Sequence, residues 1–163
     1  MTNTFKTAGM VTVAFALALL APMAAEAQNL ADRDAKEVAD YVLTETALGK
    51  YTKAVHKLHP LKEQLQQDCD REDAPESLNG MAARMDAVQE VKSALKAAGM
   101  TSREYLLFSW SVFQNGMAVW ALDQPGGALP PGTKPANINF YRAHKAELEK
   151  LGELTREMDC DNQ

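Results

Sequence analysis

Residues 100–122 read MTSREYLLFSWSVFQNGMAVWAL, and this run decides the fold. Thr101-Ser102-Arg103-Glu104 is a capping box, with Thr101 as N-cap and Glu104 as its reciprocal partner. Met100 before the cap and Tyr105 after it have the spacing of a hydrophobic staple. From Tyr105 to Leu122 there is no charge, and Leu106, Leu107, Phe108, Trp110, Val112, Phe113, Met117, Val119, Trp120 and Leu122 cover nearly the whole circumference. A helix that is apolar all round belongs in a core or in a membrane. Ser109, Ser111, Gln114, Asn115 and Gly116 interrupt the run, which sits at the short edge of a span, so it reads as the central, most buried helix.

The pattern continues in both directions. Upstream, Leu78, Met81, Met85, Val88, Val91 and Leu95 form the stripe of a helix from about Glu76 to Ala98, and Gly99 suits the left-handed residue past its end. Asp123 to Ala136 holds Pro125, Gly126, Gly127, Pro130, Pro131, Gly132 and Pro135, a composition that makes an extended crossing rather than a helix. Asn137 then reads as the N-cap of a last helix ending near Met158, with Phe140, Tyr141, Leu148, Leu151, Leu154 and Met158 on one face.

Nearer the start, Asp32 to about Leu48 forms a first helical stretch, which Gly49 breaks or loosens. Leu48, Tyr51, Val55, Leu58, Leu65 and Cys69 keep one helical face beyond it, and Pro60 predicts a kink. Strand alternation is absent, and no hairpin dipeptide lies between alternating apolar runs. The expected fold is all-α, a four- or five-helix bundle with a central apolar helix, a Pro/Gly-rich crossover strap and one disulfide.

Residues 1–27 read as a secretory signal peptide: Lys6, then the apolar run Met10 to Ala21, then Ala25-Glu26-Ala27 before Gln28. Cleavage near Ala27-Gln28 predicts a periplasmic or secreted protein and leaves residues 28–163 as one helical domain. The apolar run is too short for a stable membrane anchor. Removing the signal takes away one Lys and one Glu, so the net charge stays at −5. A mildly acidic chain lacks the basic surface that nucleic acid or an anionic membrane demands. Its two cysteines stand in matched Asp68-Cys69-Asp70 and Asp159-Cys160-Asp161 tripeptides. Flanking carboxylates disfavour the thiolate, so a structural Cys69–Cys160 disulfide is expected rather than redox chemistry. Loop closure would contribute at most about 4–5 kcal/mol. A metal clasp of thiolates and carboxylates is the competing reading.

Three runs resemble a group of small exported (periplasmic) bacterial helical proteins of no assigned function. They are Tyr41-Val42-Leu43-Thr44, then Ala98-Gly99-Met100-Thr101-Ser102-Arg103-Glu104-Tyr105, then Asn137-Ile138-Asn139-Phe140. The resemblance implies an envelope protein and brings no catalytic residues.

No catalytic signature is found: no G-x-S-x-G and no phosphate loop. Ser109 and Ser111 are expected to bond back to the preceding helical turn. His56 and His59 are three apart, and His144 with Glu147 makes a second such pair, so these histidines are the candidates for a metal site within a bundle. Without C-x-x-C-H, haem would be a non-covalent b-type group held by a His and a Met. Lys53, Lys57 and Lys62 around His56 and His59 favour a solvated basic face instead. Gln114 and Asn115 are buried amides that need partners. The leading expectation is a non-enzymatic binding or interaction module of the bacterial envelope, without a cofactor, whose partner is a protein or a small apolar ligand held in a groove beside the central helix. A metal- or haem-carrying bundle and a periplasmic chaperone-like protein are the alternatives.

Overall fold

The computed structural model describes residues 32–66 and 77–158. The signal segment, Cys69 and Cys160 lie outside the described residues. Every regular element among the described residues is helical: α1 (32–40), α2 (Glu45–Leu58), a 3-10 turn (His59–Leu61), α3 (Lys62–Gln66), α4 (Leu78–Ala87), α5 (Gln89–Ala98), α6 (Ser102–Leu122), α7 (Pro135–Ala143) and α8 (Lys145–Arg156). The all-α expectation holds, but the helices are shorter and more numerous than four or five.

The breaks at 41–44, at Pro60 and at Val88 have visible causes. The first expected helix ends before Tyr41, because side chains elsewhere take the backbone groups it would use. Asn137 Oδ1 accepts from Leu43 N–H (3.0 Å), Asn137 Nδ2 donates to the Tyr41 carbonyl (2.9 Å), and Lys134 Nζ donates to the Asp40 carbonyl. Thr44 then caps α2, accepting from Ala47 N–H at 3.2 Å. Gly49 lies inside α2 and breaks nothing. Pro60 produces the 3-10 turn between α2 and α3. The stripe from Leu78 to Leu95 divides at Val88, which adopts an extended conformation. That bend sends Leu78 and Val91 into different apolar clusters. The last helix divides at His144. Asn137 is not its N-cap: Lys134 holds that position, Pro135 opens α7, and Asn137 is buried as the bracket described above.

α2 contributes the most residues to the largest apolar cluster. Its Leu48, Tyr51, Ala54, Val55 and Leu58 pack with Val91 and Leu95 of α5, Tyr105 and Phe108 of α6, and Leu148 and Leu151 of α8. Tyr51 joins α2 to α6, its ring 5.2 Å from that of Tyr105 and 4.5 Å from that of Phe108. Gly99 ends α5 in the left-handed region (φ 82°), which only glycine adopts without strain, and the chain turns directly into the capping box. Thr101 accepts from Glu104 N–H at 3.2 Å, and Glu104 accepts from Thr101 N–H at 2.8 Å. Those hydrogen bonds hold the Glu104 carboxyl below its ordinary range.

Among the described residues α6 alone contributes buried side chains to all three apolar clusters, as a central helix does, but it is not covered all round. Only one side of it is buried, through Tyr105, Leu107, Phe108, Ser111, Asn115, Ala118 and Val119. Trp110, Phe113, Met117 and Trp120 are exposed.

Candidate functional site

The exposed side of α6 forms the floor of an apolar groove of about 630 Å³. Trp110, Phe113, Gln114, Met117, Ala118, Trp120 and Ala121 line it from α6, Asp34, Ala35 and Val38 from α1, Leu78 and Met81 from α4, and Pro130 from the segment 123–134. The four large side chains are 45% (Trp110), 62% (Phe113), 51% (Met117) and 61% (Trp120) exposed. On the order of 500 Å² of apolar surface is therefore open, as large as the largest patch on a typical monomer. Trp110 and Phe113 meet edge to face, with ring centroids 6.2 Å apart.

Polar bonds outside the floor fix the walls. The Arg103 guanidinium grips both oxygens of Glu37 on α1, and its Nε donates to Asn79 Oδ1 of α4 at 2.7 Å. Arg103 holds the Glu37 carboxyl below the usual carboxylate range, chiefly by hydrogen bonding. Ser102 Oγ donates to Asp86 Oδ1 at 2.6 Å. Asp34 Oδ2 accepts from Leu78 N–H at 2.6 Å, tying the start of α4 to α1. Ser111 Oγ donates to the Val38 carbonyl at 3.1 Å. The first turn of α6 thus clamps α1 and α4 side by side, and the apolar residues beyond that turn face the resulting hollow.

Segment 123–134 supplies the rim. Arg142 of α7 holds Asp123 at 2.8 Å, and Lys134 pairs with Asp40 at the end of α1. Gly127 closes the first turn: a Cβ there would overlap the carbonyls of Ala121 and Leu122. With its ends fixed, the segment brings Pro130 to the groove. Among the described lining residues, Asp34 is the one that ionises. The groove therefore has aromatic rings, a thioether and methyl groups, with no charged cluster or nucleophile–base pair. Such a surface can bind an apolar partner.

The residues singled out in the sequence lie elsewhere. His56 is exposed on α2. His59 Nε2 meets Glu157 Oε2 at 2.9 Å, and His144 Nε2 meets Glu45 Oε1 at 2.7 Å. The His144 ring also packs on Phe140, with centroids 4.4 Å apart. His59 and His144 thus serve different carboxylates, and among the described residues no group of three His, Cys, Asp or Glu side chains could hold a metal ion. Asn115 is buried and bonds the Ser111 carbonyl at 2.7 Å, whereas Gln114 is exposed on the groove. Ser109 and Ser111 do not bond back along their own helix; Ser109 donates to Tyr51 Oη of α2 at 2.9 Å, and Ser111 to α1.

A second hollow of about 450 Å³ lies between α3 and α8, lined by Lys62, Gln66, Glu153, Arg156 and Glu157. Its opposed charges offset one another. Glu157 lies within ion-pair distance of both His59 and Lys62, and the bond from His59 lowers its carboxyl below the ordinary value.

No family model, curated protein or solved structure matches this chain. The site therefore rests on its own chemistry. A groove does lie beside this helix; Tyr105 and Phe108 are in the core as expected, whereas Trp110, Phe113 and Trp120 line the groove. The overlooked signal was the spacing of Trp110, Phe113, Met117 and Trp120, a second apolar stripe opposite Tyr105, Phe108, Ser111 and Asn115. No helix among the described residues is long and apolar enough to cross a membrane.

Proposed function

We propose that this chain is a non-enzymatic binding module of the bacterial envelope, and that the groove along α6 is its docking surface. One observation carries the reading: four large apolar side chains stand open in a row on a rigid helix whose other side is locked into the core. Leaving that much apolar surface in water is unfavourable, and such patches mark sites of interaction. Trp, Phe and Met are also the side chains enriched at protein interfaces. The compartment rests on residues 1–27, whose charge, apolar run and small residues fit a cleaved signal.

A Cys69–Cys160 bridge belongs to the same reading. Gln66 Nε2 donates to the Glu157 carbonyl at 3.0 Å, so the chain reaches positions three residues before each cysteine at one place. Intact mass of the exported protein should fall short of the reduced mass by two hydrogens, and non-reduced digestion should yield one linked peptide. Two free thiols in freshly isolated protein would remove the bridge.

Titration with a neutral, environment-sensitive dye tests the groove. Saturable binding is expected, and Phe113→Ser and Trp120→Ser should each weaken it by about tenfold, equivalent to about 1.4 kcal/mol. Both side chains are exposed, so the variants should fold. Dye affinity unchanged in both folded variants would place the binding surface elsewhere.

A further inference from the structure

Trp110, Phe113, Met117 and Trp120 are separated by three, four and three residues. These are the a and d positions of two heptads, the seam along which two helices pack. The spacing also reads the same in both directions about Asn115. We infer that the occupant of the groove is a second copy of this chain, its α6 lying antiparallel to the first across a two-fold axis level with Asn115. This inference rests on the docking-surface reading and names its partner.

A two-fold interface requires a surface complementary to itself, so that if residue i meets residue j, j also meets i. The stripe meets that condition. With the axis level with Asn115, Trp110 faces Trp120 of the partner subunit, and Phe113 faces Met117 of the partner subunit. Every facing pair then contains an aromatic ring, and Phe113 gains a thioether contact. Antiparallel packing also opposes the two helix dipoles. At 1.5 Å per residue the seam is about 15 Å long.

Charge does not oppose the contact. α6 is uncharged from Tyr105 to Leu122, so the overall charge of −5 places no like charges on the seam. The carboxylates nearest it are engaged: Glu37 by Arg103, Asp123 by Arg142, and Asp34 by the Leu78 N–H. The two stripes together would remove about 1,000 Å² from water, and the rims would bring the total to the lower range of specific interfaces, near 1,200 Å². A dimer of that size dissociates on dilution.

Both tryptophans of the chain lie in the stripe, so their emission reports the contact directly. Sedimentation of the whole exported protein should give a dimer at about 100 µM and a monomer on dilution, the tryptophan emission moving to the red as mass is lost. Phe113→Asp and Met117→Lys should each be monomeric alone. An equimolar mixture should recover the dimer, because the antiparallel seam sets the new carboxylate against the new ammonium. A monomer at every concentration that still binds the neutral dye would overturn the second copy while leaving the groove as a docking surface. A monomer that binds no dye would end both. A dimer untouched by either substitution would put the contact on another face, and single variants that stay monomeric when mixed would overturn the antiparallel arrangement.

Discussion

Gly116 of α6 lies against the Tyr141 side chain of α7. A Cβ there would lie 2.9 Å from Tyr141 Oη and 3.1 Å from its ring. Gly116→Ala should therefore displace Tyr141, which packs against the cluster of Ala118, Val119 and Ile138, and the overpacking cost of about 1–3 kcal/mol, less the gain of about 0.5–1 kcal/mol that alanine brings to a helix, should leave the variant less stable. Gly49 is the control. It lies inside α2 with nothing within 4 Å of a would-be Cβ, so Gly49→Ala should raise stability by about 0.5–1 kcal/mol. Urea denaturation of both variants measures the two signs, and equal behaviour would contradict the close approach at Gly116. The sequence shows these glycines alike, because the neighbour that distinguishes them comes from another helix. The same holds for the polar residues of the interior. Ser109, Ser111 and Asn137 announce a need for partners, but those partners lie between 58 and 96 residues away. Type is legible locally; contact is not.

At the scale of the element, legibility followed the range of the forces involved. The capping box at Thr101, the left-handed end at Gly99 and the turn at Pro60 are decided within four or five residues, and all three stand as the sequence indicates. The breaks at 41–44, Val88 and His144 carry no Gly or Pro. The first two arise because Asn137 and Lys134 take backbone groups from the first segment, and because the stripe on α4 and α5 has to serve two clusters. α6 is the instructive intermediate. Its start, its length and its lack of charge were readable, since each is local. Which side would be covered was not, because hydrophobicity all round states how much apolar surface exists and not what lies against it.

Over the described residues, the largest cluster gathers on α2, α5, α6 and α8, and α6 also joins the two smaller ones, with one face toward Tyr51 and the other toward the groove. The same helix therefore serves stability and recognition through opposite stripes. Arg103, Asp34 and Ser111 hold the walls, so the floor stays open instead of collapsing onto α1. The groove residues and the histidines first singled out occupy different parts of the fold. That separation follows from composition: a docking surface made of core-type side chains looks like core until the neighbouring helices are in place. The openness of this face is tested most directly by acrylamide quenching of tryptophan emission in dilute, monomeric protein. Trp110 and Trp120 should both emit well to the red of a buried indole and be quenched readily, with stronger protection appearing only when the groove is filled. Blue, quencher-resistant emission from the dilute monomer would mean that the face is already covered, and would contradict a docking surface on α6.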